Sequence, residues 1–237
     1  KVPLMKSQVF ALAGVAGAMF VAANAPAAYT GLVVESYVGA GWEMAGYDAT
    51  ALDTYRVYAT FDNNQGQITA VGDSSGLFEL TSRDGSFFNS AAAGSGDFPS
   101  NPAFWAIPGF EDLQWDTFVT VGAEGESVPT TGGAPGFATQ AMGLAGDTFL
   151  NNSGWFVSGF PAQGDAVDGR VLIAQLTVAE GIGVDGRNWR VSGLEEAGNS
   201  NSSFDILSDF SAPTIPAPGA VALLGLAGLV SSRRRRG

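Results

Sequence analysis

The sequence contains no cysteine and no histidine. Without cysteine the chain has no disulfide, no thiolate nucleophile and no cysteine-bound zinc. Without histidine it lacks the commonest general base and metal ligand, which excludes Ser-His-Asp and Cys-His catalytic arrangements. Stability must therefore come from the packing of a hydrophobic core.

Positive charge is also scarce, and most of it lies at the two ends of the 237-residue chain. Lys1 and Lys6 lie at the start and Arg233–Arg236 at the end, so the middle keeps five arginines against all 23 acidic residues, a net charge of −18. A body this acidic is repelled by phosphate backbones, so we expect no nucleic-acid partner. The five arginines are Arg56, Arg83, Arg170, Arg187 and Arg190.

The start of the chain has the three parts of a secretory signal peptide. Met5-Lys6 precedes an uncharged run over residues 9–23, and Ala25-Pro26-Ala27 then supplies the small residues of a cleavage site. We expect cleavage after Ala27, because cutting after Ala25 would leave a proline at the first mature position. Residues 1–27 are therefore predicted to be a signal peptide with an upstream extension over residues 1–4, cut by signal peptidase on the Sec route.

The end of the chain carries a short apolar segment followed by arginines. Prolines precede the run Ala220–Val230, and four arginines follow it. About eleven apolar residues form a helix of about 16 Å, half of the ~30 Å hydrocarbon thickness of a bilayer. With the arginines held inside, we expect this segment to insert transiently in the membrane rather than to anchor the protein permanently.

The order of these parts resembles the PEP-CTERM protein-sorting signal: Pro216-Ala217-Pro218-Gly219, then the apolar run, then Arg233, Arg234, Arg235 and Arg236. Ala217 replaces the glutamate of the usual Pro-Glu-Pro, and the resemblance is confined to residues 213–237. It implies processing by an exosortase, a membrane cysteine peptidase of Gram-negative bacteria that make exopolysaccharide. The implied destination is the cell surface or extracellular matrix.

The body, residues 28–212, consists of short β-type stretches separated by Gly, Asn, Asp and Ser clusters, without a helical apolar period. This pattern predicts an all-β domain, a two-sheet antiparallel β-sandwich of jelly-roll type, with a single-sheet barrel as the alternative. The predicted strands are Leu32 to Val38, Asp53 to Phe61, Gln67 to Gly72, Thr117 to Gly122, Gly154 to Phe160, Arg170 to Val178 and Asn188 to Gly193.

Alternation within residues 55–61 predicts that Tyr55, Val57, Ala59 and Phe61 face the core while Arg56 and Thr60 face out. The segment over residues 62–66 is predicted to be a hairpin turn. Two stretches without a clear period, residues 82–108 and 123–143, predict long loops.

Two polar loops are candidate calcium sites, since hard oxygen ligands suit this ion. The candidate ligands are Asp62 and Asn64 in one loop and Asp165 and Asp168 in the other. The alternative is that Asp and Asn serve as ordinary turn residues. We predict no resident cofactor, with Ca²⁺ as the one candidate ion.

Tryptophans are the candidate carbohydrate-binding residues, because their rings stack on sugar faces. Trp42, Trp105 and Trp115 lie in the irregular stretches, and the alternative is that they fill the core. Carboxylate pairs are the only catalytic groups left, and no pair is singled out; the conceivable pairs are Glu111 with Asp116, Glu35 with Glu43, and Glu195 with Glu196. We therefore expect a non-enzymatic structural or interaction protein associated with exopolysaccharide; the alternative is a lectin-like module or a carboxylate-dependent glycan-active enzyme.

Overall fold

A computed structural model describes residues 26–37, 51–72, 78–83, 87–90, 92, 102–105, 107–122, 148–150, 154–157 and 162–212. The predicted signal and tail helices lie outside these residues, as do Trp42 and the sorting motif. Within the described ranges, no helix is long and apolar enough to cross a membrane. The helical elements there are short 3₁₀ turns: Pro102–Phe104, Glu111–Trp115, Ala162–Gly164 and Ser200–Ser202.

In the part of the chain that the structure describes, ten β-strands form two antiparallel sheets, which confirms the predicted all-β sandwich. The strands are β1 (Tyr29–Ser36), β2 (Leu52–Phe61), β3 (Gln67–Gly72), β4 (Glu79–Ser82), β5 (Phe118–Val119), β6 (Thr148–Leu150), β7 (Gly154–Phe156), β8 (Arg170–Ala179), β9 (Val184–Leu194) and β10 (Ser203–Ala212). Sheet A has the order β1-β2-β8-β5. In sheet B, β9 pairs with β10 on one side and with β3 and β4 on the other.

Strands β3 and β4 pair with successive parts of β9, and β7 and β6 pair with β3 and β4 in turn. Gln67 of β3 is opposite Leu194, whereas Ser82 of β4 is opposite Val184. The two short strands therefore act as one interrupted strand that runs the length of β9. Sheet B is therefore four strands wide, like sheet A, and one core cluster contains buried residues of both sheets.

The predicted alternation in β2 is confirmed for its core face. Tyr55, Val57, Ala59 and Phe61 all belong to the main core between the sheets. On the opposite sheet, Trp155 and Trp189 fill the core, with ring centroids 5.3 Å apart. Their indole N–H groups donate to main-chain carbonyl oxygens of Thr120 and Glu79 respectively, so the polar atom of each buried ring has a partner.

The outer face of β2 differs from the prediction, because it is covered rather than solvated. Arg56 is only 9% exposed, and its Nε donates to Gln175 Oε1 over 3.0 Å. Gln175 in turn donates to the main-chain oxygens of Gln114 and Asp116 in the segment 107–122. The Arg56 guanidinium lies over the Tyr37 ring, 3.8 Å from the ring centroid. These contacts join residues far apart in sequence, so local alternation does not reveal them.

The segment 62–66 is not a hairpin turn, since β2 belongs to sheet A and β3 to sheet B. It is a corner that carries the chain from one sheet to the other. Gly66 packs so closely on Phe61 that a Cβ at position 66 would collide with the ring. Local turn chemistry correctly indicated a turn but not the sheet that the next strand joins.

Three strands were missed by the sequence analysis: β4, β6 and β10. Strand β5 spans only two residues of the predicted Thr117 to Gly122, and β7 spans three of the predicted Gly154 to Phe160. The predicted loop over residues 82–108 contains β4's last residue and the turn Pro102–Phe104 in its described parts. The second predicted loop, residues 123–143, lies outside the described residues.

Candidate interaction surfaces

The chain enters and leaves the sandwich at opposite ends. The main-chain N–H of Ala27 donates to the oxygen of Glu195, which follows the last residue of β9. At the other end of β9, Val184 pairs with Ala212, the last residue of β10. We call these ends the N-terminal pole and the C-terminal pole. Since β9 has 11 residues, the poles are about 36 Å apart at ~3.3 Å per residue.

The two candidate calcium loops are neighbours at the N-terminal pole. The N–H of Phe61 donates to the oxygen of Gly169 over 2.7 Å, and the N–H of Ala166 donates to the oxygen of Gly66 over 2.8 Å. The Oδ1 of Asn64 accepts from the N–H of Gly169 over 2.5 Å. The fold therefore brings together two loops that the sequence analysis treated as separate sites.

Within these loops, three of the four candidate ligand side chains, those of Asp62, Asn64 and Asp165, accept a hydrogen bond from the protein itself. Asp62 Oδ1 accepts from the N–H of Ala28 over 2.9 Å, and Asp165 Oδ1 accepts from Gln67 Nε2 over 2.5 Å. Partial burial raises the pKa of the Asp165 carboxyl above its ordinary value, and the hydrogen bond from Gln67 opposes that shift. These bonds fix the corner between the two sheets.

Asp168 and Gly169 occupy a tight turn. Both have positive φ, 52° and 72°, and the flanking residues Val167 and Arg170 exchange main-chain hydrogen bonds. An Asp-Gly pair in this conformation is typical of a two-residue hairpin turn. Among the residues that the structure describes, no group of three or more carboxylates is arranged to hold a metal ion. The calcium site stays a prediction, and the observed bonds favour a turn role for these side chains.

The two described candidate tryptophans are not exposed platforms. Trp105 is 8% exposed and Trp115 is 7% exposed, so their ring faces are unavailable for stacking on a sugar. The interpretation as core residues applies to both rings. Of the phenylalanines near them, Phe87 is buried, whereas Phe104 and Phe110 are exposed.

Phe104, Ile107 and Phe110 form an exposed apolar ridge. The N–H of Ile107 donates to the oxygen of Phe104, and the N–H of Phe110 donates to the oxygen of Ile107, at 2.9 and 3.0 Å. Side chains three residues apart eclipse one another in such 3₁₀-like turns. The two phenyl ring centroids are 6.3 Å apart. The sequence signal for this ridge is the spacing Phe-x-x-Ile-x-x-Phe, and the ridge was not predicted from it.

Described members of the candidate carboxylate pairs bond to nearby N–H groups. Glu111 Oε2 accepts from the N–H of Gly109 over 2.6 Å, and the fully buried Asp116 accepts from the N–H of Ser90 over 2.7 Å. Both oxygens of Glu35 accept from Arg170 Nη1, and Glu196 Oε2 accepts from Asn199 Nδ2. These contacts assign each carboxylate a local structural role.

Of the predicted processing residues, only Ala27 lies within the described ranges. It is fully buried and belongs to the main core. Ala25 and the sorting residues Pro216, Ala217, Pro218, Gly219 and Arg233–Arg236 lie outside these ranges.

No family model matches the chain. No curated protein matches it either. One similar solved structure carries the description "Complete structure of manganese lipoxygenase of Gaeumannomyces graminis and partial structure of zonadhesin of Komagataella pastoris", with 11% identity and a TM-score of 0.32. The alignment covers 78% of this chain and 47% of that one, so this chain spans about half of its length. A likeness this weak has no bearing on function.

Proposed function

We propose that the protein is an exported, non-enzymatic structural or interaction protein of the cell surface and extracellular matrix, associated with exopolysaccharide. The observation that carries the proposal is the order of its parts along the chain. A signal-like segment precedes the β-sandwich, and the Pro-rich, apolar and arginine segment begins at Pro213, directly after the last residue of β10. In sequence, the sorting segment thus follows the last residue of the final described strand directly.

The last residues of β10 are held by contacts within the body, which supports the proposal that the tail is a separate sorting segment. Ala212 is 1% exposed and pairs with Val184. Arg83 Nη2 donates to the hydroxyl of the preceding Ser211 over 2.7 Å. The sandwich therefore does not need the tail residues to complete β10, and an exosortase could cut the tail without unfolding the body.

The opposite placement of the two poles suggests how the body is presented. When the tail is in the membrane, the C-terminal pole faces the bilayer and the N-terminal pole points away from it. The N-terminal pole carries the polar loops 62–66, 164–169 and 195–202. Its acidic and amide-rich surface would then face the matrix.

The test is to express the full chain in a Gram-negative, exopolysaccharide-producing host with an exosortase and to analyse each cell fraction by intact mass spectrometry. We expect extracellular protein that lacks both the signal peptide and Arg233–Arg236. Replacing the four tail arginines by glutamine should leave the tail uncut, whereas the matched body variants Arg187→Gln and Arg190→Gln should be processed normally. An intact C-terminus outside the cell would contradict the proposal.

Carbohydrate binding is a second candidate, favoured by the exposed ridge Phe104, Ile107 and Phe110. Exposed aromatic rings can pack on the apolar faces of sugars, and an exposed apolar patch marks a contact site. A glycan array probed with the secreted protein, with and without Ca²⁺, tests this function. Binding should fall in Phe104→Ala and Phe110→Ala but persist in Phe156→Ala, a control on sheet B whose side chain is as exposed as that of Phe110.

A further inference from the structure

Ala27 is part of the folded body. Its side chain lies in the main core, and none of its surface is exposed. Its N–H donates to the oxygen of Glu195 over 2.6 Å, which ties the chain to the end of β9 before β1 begins. Pro26, one residue earlier, is exposed. Ala27 is therefore the first of the described residues that the core encloses.

The next residue is tied down as well. The N–H of Ala28 donates to Asp62 Oδ1 over 2.9 Å, and its oxygen accepts from the N–H of Asp62 over 3.1 Å. The Ala27–Ala28 peptide bond thus lies between two residues that the fold holds. Cleavage of this bond would remove Ala27, leave a void in the core and deprive the Glu195 oxygen of its donor. The new ammonium at Ala28 would pair with Asp62, but an exposed pair of this kind stabilises a fold only weakly.

The sequence around this bond is also unfavourable for a signal peptidase. Pro26 lies between the two small residues Ala25 and Ala27, and proline has no N–H to donate when a substrate binds in an extended conformation. Cutting after Ala25 would place the same proline directly after the cut. The bond between Ala23 and Asn24 avoids both problems, with Val21 and Ala23 as the small aliphatic residues before the cut.

We infer that signal peptidase cuts between Ala23 and Asn24, so that the mature protein begins at Asn24 and keeps Ala27 in its core. This inference rests on the proposed export and gives a cleavage position four residues before the one predicted from the sequence, after Ala23 instead of after Ala27. It also explains why the small-residue pattern extends so far beyond the apolar run: Pro26 and Ala27 begin the mature fold.

The N-terminal peptide of the exported protein, identified by mass spectrometry, tests the position. We expect it to begin at Asn24. A peptide that begins at Ala28 would overturn the inference and leave the proposed export standing. Protein that stays inside the cell with its N-terminal segment intact would overturn both.

A second measurement tests the role of Ala27 in the fold. Deleting residues 24–27 from the full chain joins the signal segment directly to Ala28, so the exported product must start there. We expect its melting temperature to be about 3–8 °C below that of the natural product. Deleting only Ala25 is the matched control, because it keeps Asn24 directly after the cut, and it should leave the melting temperature unchanged. Equal melting temperatures for the two deletions would overturn the inference.

Discussion

Arg83 holds Asp185 through two hydrogen bonds, with Nε donating to Oδ2 over 2.7 Å and Nη2 donating to Oδ1 over 2.8 Å. Because Nη2 also donates to Ser211, one guanidinium joins the ends of β4, β9 and β10 at the C-terminal pole. The contact of Arg83 therefore holds these strand ends together two residues before the tail begins at Pro213.

Replacing Arg83 by glutamine should loosen the end of β10. We expect the amide protons of Ser211 and Ala212 to exchange roughly two- to five-fold faster, because the partly exposed contact contributes modestly and is screened by salt. Hydrogen-exchange mass spectrometry measures this. The control is Arg190→Gln, which removes a single 3.3 Å contact to Asp205; equal acceleration in both variants would contradict a specific role for Arg83.

Asp185→Asn should weaken the protein at neutral pH and have no effect in acid. The hydrogen bonds from Arg83 lower the pKa of Asp185 below its ordinary value of 3.8. A lowered pKa in the folded state stabilises the protein above pH 3.8, and this contribution is lost as the pH falls through the folded-state value. Urea unfolding at a series of pH values should show the stabilities of the two proteins converging as the pH falls through the lowered folded-state pKa of Asp185.

Asp165→Asn should show the opposite pH dependence. Burial raises the pKa of Asp165 above 3.8, so the folded state favours the protonated form, and stability falls as the pH rises through the folded-state value. An asparagine carries no charge and its amide oxygen still accepts from Gln67. The variant should therefore be more stable than the natural protein at neutral pH and equal to it below pH 3.8. A loss of stability at pH 7 would contradict this assignment.

Gly66→Ala should lower the free energy of unfolding by about 1–3 kcal/mol, because a Cβ there collides with the Phe61 ring. Chemical denaturation measures the change. The additional substitution Phe61→Leu makes room for the Cβ, so the double variant should lose less stability than the two single variants together. If the stability losses of the two single variants add exactly in the double variant, the collision with the Phe61 ring is not what destabilises Gly66→Ala.

Trp189→Ala should be the most damaging of these substitutions, with a loss of about 3–5 kcal/mol. The ring is fully buried and packs on Phe78 and Phe210, with centroids 5.0 and 4.8 Å away. The control is Leu207→Ala on the adjacent strand, which is 52% exposed and should change stability by less than about 0.5 kcal/mol. Similar losses in both variants would contradict the assigned core.

The fold class was predictable because β2 alternates aromatic and β-branched residues with polar ones, and β8 is a nearly continuous apolar run rich in β-branched residues. Strand β10 was not predicted because the side chains on its inward face are only partly buried and not all apolar. Ile206 is 42% exposed, and Ser208 occupies a position where an apolar residue would be expected. Its apolar periodicity is correspondingly weak. Strand β4 has only four residues, too few for a periodic signal.

The candidate sites were harder to predict, since burial depends on partners distant in sequence. Trp105 and Trp115 lie in an irregular stretch, yet the fold buries both. Composition identified the polar loops that contain Asp62 and Asp165, but only the fold shows that the loops touch. The ridge Phe104, Ile107 and Phe110 follows a three-residue spacing, which neither the α-helical nor the β-strand period detects.

The pairing of β2 with β8 also determines when the protein can fold. The hydroxyls of Thr54 and Thr177 hydrogen bond over 2.9 Å although the residues are 123 positions apart. Synthesis at ~5–20 residues per second separates their appearance by roughly 6–25 s. During that interval β2 exposes its apolar face without its partner, and contacts between such distant residues form slowly. The newly made chain is therefore open to aggregation until β8 has been synthesised and can pair with β2.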